Sequence, residues 1–345
     1  MGKAKIISII NYKGGVGKTG SAFNIAAGLN FLNGHSVLLI DLDPQCSLSR
    51  VCLRACANSI GKHLGLSHLS EVETINHVFR TNLNQDILDF DYRINLDKLI
   101  KKDFYTGIRT RLKGFDFIPA TMFMNSSKGY IRGLDDLEGD VRCKYNYDTH
   151  AQLKQTTILA QFIKEYNLEN QYDFIIFDCP PSNNIITQNA LLISDYYLVP
   201  TTMDDMGSQG VQHISNIIQN TFIHSLLNEY KTLIDLSPNT SYLSLLKKGK
   251  PRLLGIFETL KKTGANTDLA RERVIKENPG KLFDSIIYNQ IDVPRAIDKG
   301  ECCFTSSNSR LKNATNESYG NLIFEILNRL SIKKSPNARK VTDIL

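Results

Sequence analysis

Seven residues, Lys13-Gly14-Gly15-Val16-Gly17-Lys18-Thr19, constrain this chain more than any other stretch, because they stand between a buried strand and a helix. Residues 4–10 (AKIISII) are an almost unbroken apolar run, the pattern of a parallel strand covered on both faces. SAFNIAAGLNFLNG then repeats its apolar residues at helical spacing until Gly34 stops it. Between the two, three glycines let successive backbone N–H groups turn inward, and the N-terminus of the helix adds the positive end of its dipole. Phosphate is the ligand such a loop fits. Lys18 is placed to reach the β- and γ-phosphates of a nucleotide, and the Thr19 hydroxyl to coordinate Mg²⁺. The common pattern G-x-x-x-x-G-K-[ST] is not met, since Tyr12 occupies the place of its first glycine; instead an extra lysine, Lys13, stands at the front of the loop. A glycine-rich turn without nucleotide is the bland alternative.

The remaining apolar runs extend this beginning into a sheet. SVLLID (36–41), GFDFIPA (114–120), DFIIFD (173–178), YYLVP (196–200), RLLGIF (252–257) and FDSII (283–287) are short and mostly separated by helical patterns. That alternation predicts an α/β fold, a doubly wound, mostly parallel sheet flanked by helices, with ligands at the carboxyl ends of its strands. Residues 1–332 read as a single P-loop domain with insertions near 80–113 and 221–251, and residues 333–345 as a basic C-terminal tail. Asp41 and Asp43 follow the second strand, where an extended chain turns both carboxylates to one face. Asp178 ends a later strand beside the loop and is placed to hold Mg²⁺ through water.

Charge and cysteine usage narrow the setting. The chain carries 41 Lys plus Arg against 35 Asp plus Glu, a net +6, and residues 247–281 alone hold ten basic against four acidic residues. The rest of the chain is therefore balanced, and the excess marks one segment for polyanions. Seven cysteines without a C-x-x-C pair read as structural thiols rather than a metal or iron–sulfur site. No apolar run of about 18 residues suits a membrane span and no leader precedes the first strand, so a reducing cytoplasm is expected.

The motifs taken together resemble the ParA/MinD family of deviant Walker ATPases, and within it the ParA (Soj-like) branch. Besides Lys13–Thr19, Asp41-Leu42-Asp43-Pro44-Gln45 is similar to that family's D-x-D-P-Q element and Asp178-Cys179-Pro180-Pro181-Ser182 to its Walker B site. Looser matches are Ile186–Leu191, Val199-Pro200 and Gly207–Gly210, and the two insertions are unmatched. The resemblance implies an ATPase using ATP and Mg²⁺, with residues 13–20 (Lys13, Gly14, Gly15, Val16, Gly17, Lys18, Thr19 and Gly20) and Asn289 on the nucleotide. It implies Thr19, Asp41 and Asp178 around the metal, Asp43 as the residue that positions the attacking water, and Lys13 as a residue that crosses a nucleotide-sandwich homodimer to the partner's phosphates. Gly20 and Cys46 depart from the family's usual threonine and glycine, and Tyr288-Asn289-Gln290 stands where it often has Pro-Arg-Asn.

The function so implied is a switch that dimerises on ATP, binds DNA without sequence preference, and is released when a ParB-like or other cargo adaptor stimulates hydrolysis. It would partition a plasmid, a chromosome or another large cargo, and be cytoplasmic and nucleoid-associated. Its DNA surface is expected at Lys261, Lys262, Arg271, Arg273 and Lys276. Asn266 or Thr267 caps a helix running to about Glu277, on which Arg273 and Lys276 share a face; an ordinary solvated helix is the competing account. A MinD-like membrane-associated positioning ATPase is the alternative function. Its amphipathic helix would be Asn321–Leu330, which as readily packs as a closing core helix; no stable membrane association is expected. A metallocluster ATPase of the same superclass is a further rival, without evident cysteine ligands.

Overall fold

The computed structural model describes residues 3–88, 93–106, 111–122, 124–126, 129–146, 150–218, 220, 226–236, 243–246, 251–306 and 316–332. Strand β1 (Lys5–Ile9) leads into α1 (Lys18–Asn33), β2 (Val37–Asp41) into α2 (Ser47–Ile60), and α3 (Ile75–Leu88) and α4 (Leu96–Leu99) precede β3 (Phe115–Ile118). A hairpin of β4 (Met124–Ser126) and β5 (Gly129–Ile131) is followed by α5 (Leu134–Tyr145), α6 (Ala151–Thr156), α7 (Ile158–Glu165) and β6 (Phe174–Asp178). Then come α8 (Ile185–Ile193), β7 (Tyr196–Thr201), α9 (Asp205–Ile217), α10 (Lys231–Leu236) and α11 (Leu243–Leu246). The chain closes with β8 (Arg252–Lys261), α12 (Asp268–Glu277), β9 (Leu282–Tyr288), α13 (Asp292–Asp298) and α14 (Asn316–Arg329).

Seven strands form one sheet in the order β3-β2-β6-β1-β7-β8-β9, and every pairing in it is parallel. The expected α/β fold is therefore present. All five residues of β2 and of β6 are buried, which explains why these strands read as continuous apolar runs rather than alternating ones. The sequence order reverses around β1, so the crevice opens at its carboxyl end. Register places Asp41 of β2 directly opposite Asp178 of β6, and Ile9 of β1 opposite Asp178 on the other side.

Helix α1 is enclosed almost all round, between the sheet and α14. The contact is close at Gly28, where a Cβ would stand 2.1 Å from Ile323 Cδ1 and 2.6 Å from Phe304 Cε2. Only a residue without a side chain allows it. The apolar positions of the closing helix, Leu322, Ile323, Ile326 and Leu327, are buried in the core. Segment 321–330 is thus a packed helix, and its apolar face is not available to a bilayer.

The described parts of the two stretches expected to be insertions, near 80–113 and 221–251, pack onto the same core. Ile94, Leu99, Phe104 and Tyr105 are buried, and Lys101 makes an antiparallel bridge to Phe117 on the β3 edge. Leu245 and Leu246 of α11 are buried near α7 and α8. Lys247, Lys248, Lys250 and the 333–345 tail lie outside the described residues.

Candidate functional site: a phosphate loop with two buried carboxylates

The loop leaving β1 is shaped before any ligand arrives. Asn11, fully buried, accepts the Lys13 N–H at 2.9 Å on its side-chain oxygen and donates to the Pro200 carbonyl at 2.8 Å. Gly15 and Gly17 take left-handed backbone angles, φ 73° and 76°, and Gly17 caps the start of α1. The Thr259 hydroxyl of β8 donates to the Val16 carbonyl at 2.9 Å, so the loop is braced from β7 through Asn11 and from β8 through Thr259. No atom lies within 4 Å of where a Cβ would sit on Gly14 or Gly15, which leaves an open backbone cradle. Lys18 is buried and donates to the Lys13 carbonyl at 3.1 Å. Burial lowers its pKa, an effect opposed by the nearby Asp178 and Asp43. An ammonium in such surroundings binds anions more strongly than one in water.

Two aspartates meet beneath this cradle and behave differently. Asp41 uses Oδ2 to accept from the Ser49 N–H and the Ser49 hydroxyl, both at 2.7 Å, and Oδ1 to accept the Asp43 N–H at 3.0 Å. It thereby ties β2 to the first turn of α2, where a carboxylate also meets the helix dipole. Burial pushes its pKa up to about 7 against these donors. Asp178 has the opposite character: both its oxygens are buried with no hydrogen-bond partner. Burial first, and then the neighbouring Asp41, raise its pKa well above the carboxylate range, while the nearby Thr19 hydroxyl and Lys18 pull the other way. A buried carboxylate with two idle oxygens next to a hydroxyl and an ammonium fits a hard divalent cation better than any protein group around it. Thr19 and Asp178 are the residues that could hold Mg²⁺, while Asp41, expected around the metal as well, has both oxygens engaged by Ser49 and the Asp43 N–H.

Asp41 and Asp43 do not share one extended face as expected. The chain turns after β2, Asp41 points into the fold toward Ser49, and Asp43 stays half-buried, its Oδ1 accepting the Gln45 N–H at 2.9 Å. The turn ends at Cys46, which caps α2 with φ 54°, a conformation that explains why glycine suits this position.

Lys13 is engaged within its own chain. Its ammonium donates to both Asp204 carboxylate oxygens, at 2.8 and 2.6 Å, and to the Thr202 hydroxyl at 3.0 Å. Thr202 in turn donates to Asp204 at 2.9 Å. Neither residue was expected from the sequence, although both follow β7 at its carboxyl end, where ligand-binding residues of an open α/β sheet gather. Asn11, Ser49 and Thr259 were also missed, because each acts through a partner distant in sequence.

On the far side of the loop, Asn289 follows β9 and donates its N–H to the Lys261 carbonyl at 2.9 Å. Leu260, with φ 54°, lies close to Gly17, and Tyr288 and Ile291 are exposed beside it.

The basic residues divide. Thr267 is the N-cap of α12 without a side-chain cap bond, Asn266 just before it accepts the Asp268 N–H at 3.0 Å, and Lys262, Arg273 and Lys276 are exposed. Arg271 departs from expectation: its guanidinium donates at 2.6 Å to Glu258, which is buried in β8. Lys261 also leans toward that carboxylate, 3.9 Å away. Arg271 therefore faces the sheet and not the outer surface shared by Arg273 and Lys276.

Comparison with known proteins gives the same picture at family level. The family model described as AAA domain matches residues 4–126 and 142–231. The chromosome partitioning protein ParA of Myxococcus xanthus is 27% identical over 301 residues, 86% of this chain and 78% of that protein. Among solved structures, the Cyanothece McdA–ATP complex superposes with a TM-score of 0.61 at 16% identity, covering 97% of this chain and 99% of that one. A plasmid partition protein from Borrelia burgdorferi bound to AMPPNP gives 0.56 at 21% identity, covering 95% and 100%. At these identities the structural matches bear on the fold alone. No described helix is long and apolar enough to cross a membrane.

Proposed function

This chain belongs to the AAA domain family and is of its ParA/MinD type, and we propose that it is a dimerising ATPase switch which partitions DNA or another large cargo. The observation that carries the reading is the pairing of an open phosphate cradle with Asp178, whose two buried oxygens await a cation. Mg²⁺ bound there would neutralise phosphate charge and draw Asp178 into its ionised form. Lys18 and the loop amides hold the phosphates, and Asp43, half-buried at the mouth, orients water toward them. Asp41 supports that arrangement by fixing the turn and α2 through Ser49.

Lys13 is the candidate link between chemistry and assembly. Its partner Asp204 is 49% exposed, and an ion pair that wet is worth at most about 1 kcal/mol. Lys13 can leave it for the phosphates of a second subunit at little cost. The dimer then binds DNA through phosphate contacts from Lys262, Arg273 and Lys276, with Lys261 at the margin, and an adaptor of the ParB kind stimulates hydrolysis. The buried apolar face of α14 favours this reading over a MinD-like membrane anchor formed by residues 321–330. A cytoplasmic, nucleoid-associated protein follows.

Variants separate the roles. Lys18→Ala should abolish tight Mg·ATP binding in a calorimetric titration, because it removes the ammonium from a site of several negative charges. Lys13→Ala should bind ATP and fail to dimerise in light scattering, and Asp43→Ala should bind ATP, dimerise and turn over very slowly. Unchanged ATP affinity in Lys18→Ala would remove the foundation of the reading.

A further inference from the structure

Helix α12 is held to the body by very little. Val274 is its one fully buried residue, while Leu269 is 80% exposed and Ile275 48%. Beside Val274, Ala270 packs partly buried against the core and the helix touches α9, a small apolar anchor that constrains the orientation of a ten-residue helix only weakly. The missing constraint is polar. Glu258 lies inside β8, in register with Thr201 of β7 and Ile286 of β9, and its side chain is 1% exposed. Arg271 reaches down from α12 to one of its oxygens at 2.6 Å, and the other oxygen is buried without a hydrogen-bond donor, with Lys261 Nζ 3.9 Å away. The next residue, Thr259, is the one whose hydroxyl holds the Val16 carbonyl of the phosphate loop. Adjacent strand residues point to opposite faces, so β8 grips the nucleotide loop with one residue and α12 with its neighbour.

We infer that Arg271 is a positioning residue, and that the Glu258–Arg271 pair aims the outer face of α12, carrying Arg273 and Lys276, at the phosphates of bound DNA. The inference rests on the reading of α12 as the DNA surface and assigns Arg271 a different task from its basic neighbours. A charged pair inside a sheet is costly to form and strongly directional once formed, which suits a device that fixes one helix angle. It also places the DNA surface and the phosphate loop on consecutive residues of one strand.

The sign of one substitution discriminates. Were Arg271 a phosphate contact restrained by Glu258, Glu258→Gln would release it and remove a negative charge from the neighbourhood, so DNA would bind more tightly with a steeper salt dependence. If the pair positions α12, the same substitution weakens binding, by about tenfold for a lost charge-assisted hydrogen bond. The double variant Glu258→Leu with Arg271→Met, which replaces the pair by apolar groups of similar size, should bring affinity back to within about threefold of wild type with an unchanged salt slope. Loss of a true phosphate contact would instead lower that slope by about 0.9. Fluorescence anisotropy of a labelled duplex without any specific site, with Mg·ATP at several salt concentrations, reads all of these, and light scattering on the same samples reports ATP-driven dimerisation. The inference is overturned if Glu258→Gln tightens binding, or if the double variant loses affinity and salt slope while still dimerising. Failure of the underlying reading looks different: wild type then shows no ATP-dependent DNA binding, or Arg273→Glu with Lys276→Glu leaves it unaltered.

Discussion

Replacing Asp178 by Asn should make the nucleotide-free protein more stable above neutral pH. Asp178 and Asp41 face each other across β6 and β2, both buried, and both are held toward the protonated form. A carboxyl group whose folded pKa lies above its unfolded value stabilises the fold fully below the unfolded pKa and loses that contribution as pH rises through the folded value. Asp41, pushed up to about 7, loses on the order of 4 kcal/mol in this way between roughly pH 4 and pH 7, a loss common to wild type and variant, so the difference between the two proteins reports Asp178. Asp178, whose oxygens have only the Thr19 hydroxyl and the Lys18 ammonium nearby to offset burial, is shifted in the same direction and adds to the loss. Asparagine has the shape of protonated aspartate and never ionises. Near pH 5 the variant and wild type should therefore unfold at similar temperatures, while at pH 8 the variant should melt several degrees higher. Thermal unfolding of the nucleotide-free protein from pH 5 to 8.5 measures this directly. Adding Mg²⁺ to ATP should then stabilise wild type further and the variant hardly at all. Parallel pH profiles for the two proteins, or a variant less stable than wild type at pH 8, would refute the reasoning that a buried, unpaired charge sits at the end of β6.

Two substitutions test other parts of the structure. Gly28→Ala drives a methyl group into Ile323 and Phe304 and should lower the urea midpoint by the equivalent of about 1–3 kcal/mol, with part of the loss recovered when Ile323→Val removes the clashing Cδ1. Asp204→Asn loosens an exposed ion pair, so it should change stability by less than about 1 kcal/mol while lowering the ATP concentration at which light scattering detects a dimer, since Lys13 is no longer held by its own chain.

Much of this architecture was readable because burial on both faces leaves a plain mark. Residues 37–41 and 174–178 are apolar to their last position, and the charged residue that ends each run is the one that reaches the site. The phosphate loop was equally plain, since its glycines are required by positive φ angles and its strand and helix flank it directly. Pairings were not. Nothing in the sequence connects Asp41 with Ser49, Lys13 with Asp204, or Thr259 with Val16, because each bond is made by chain segments that meet only after the sheet has assembled. Strand β8 shows the same limit from another side. The apolar run RLLGIF ends at Phe257, yet the strand continues to Lys261, and Glu258 belongs inside it because Arg271 arrives from α12 to neutralise it. Arg271 consequently looked like one more basic residue on a solvated helix. Only the fold shows that it faces Glu258.

In the proposed function, nucleotide state controls assembly and DNA binding together. The most direct measurement is binding of wild-type protein to a labelled nonspecific duplex, with light scattering on the same samples, in the absence of nucleotide, with Mg·ADP and with a slowly hydrolysed Mg·ATP analogue. The account predicts a monomer with weak DNA binding in the first two conditions. In the third it predicts a dimer whose affinity falls steeply as salt rises and varies little with sequence. DNA affinity that is the same in all three conditions, or dimerisation that does not depend on ATP, would contradict it.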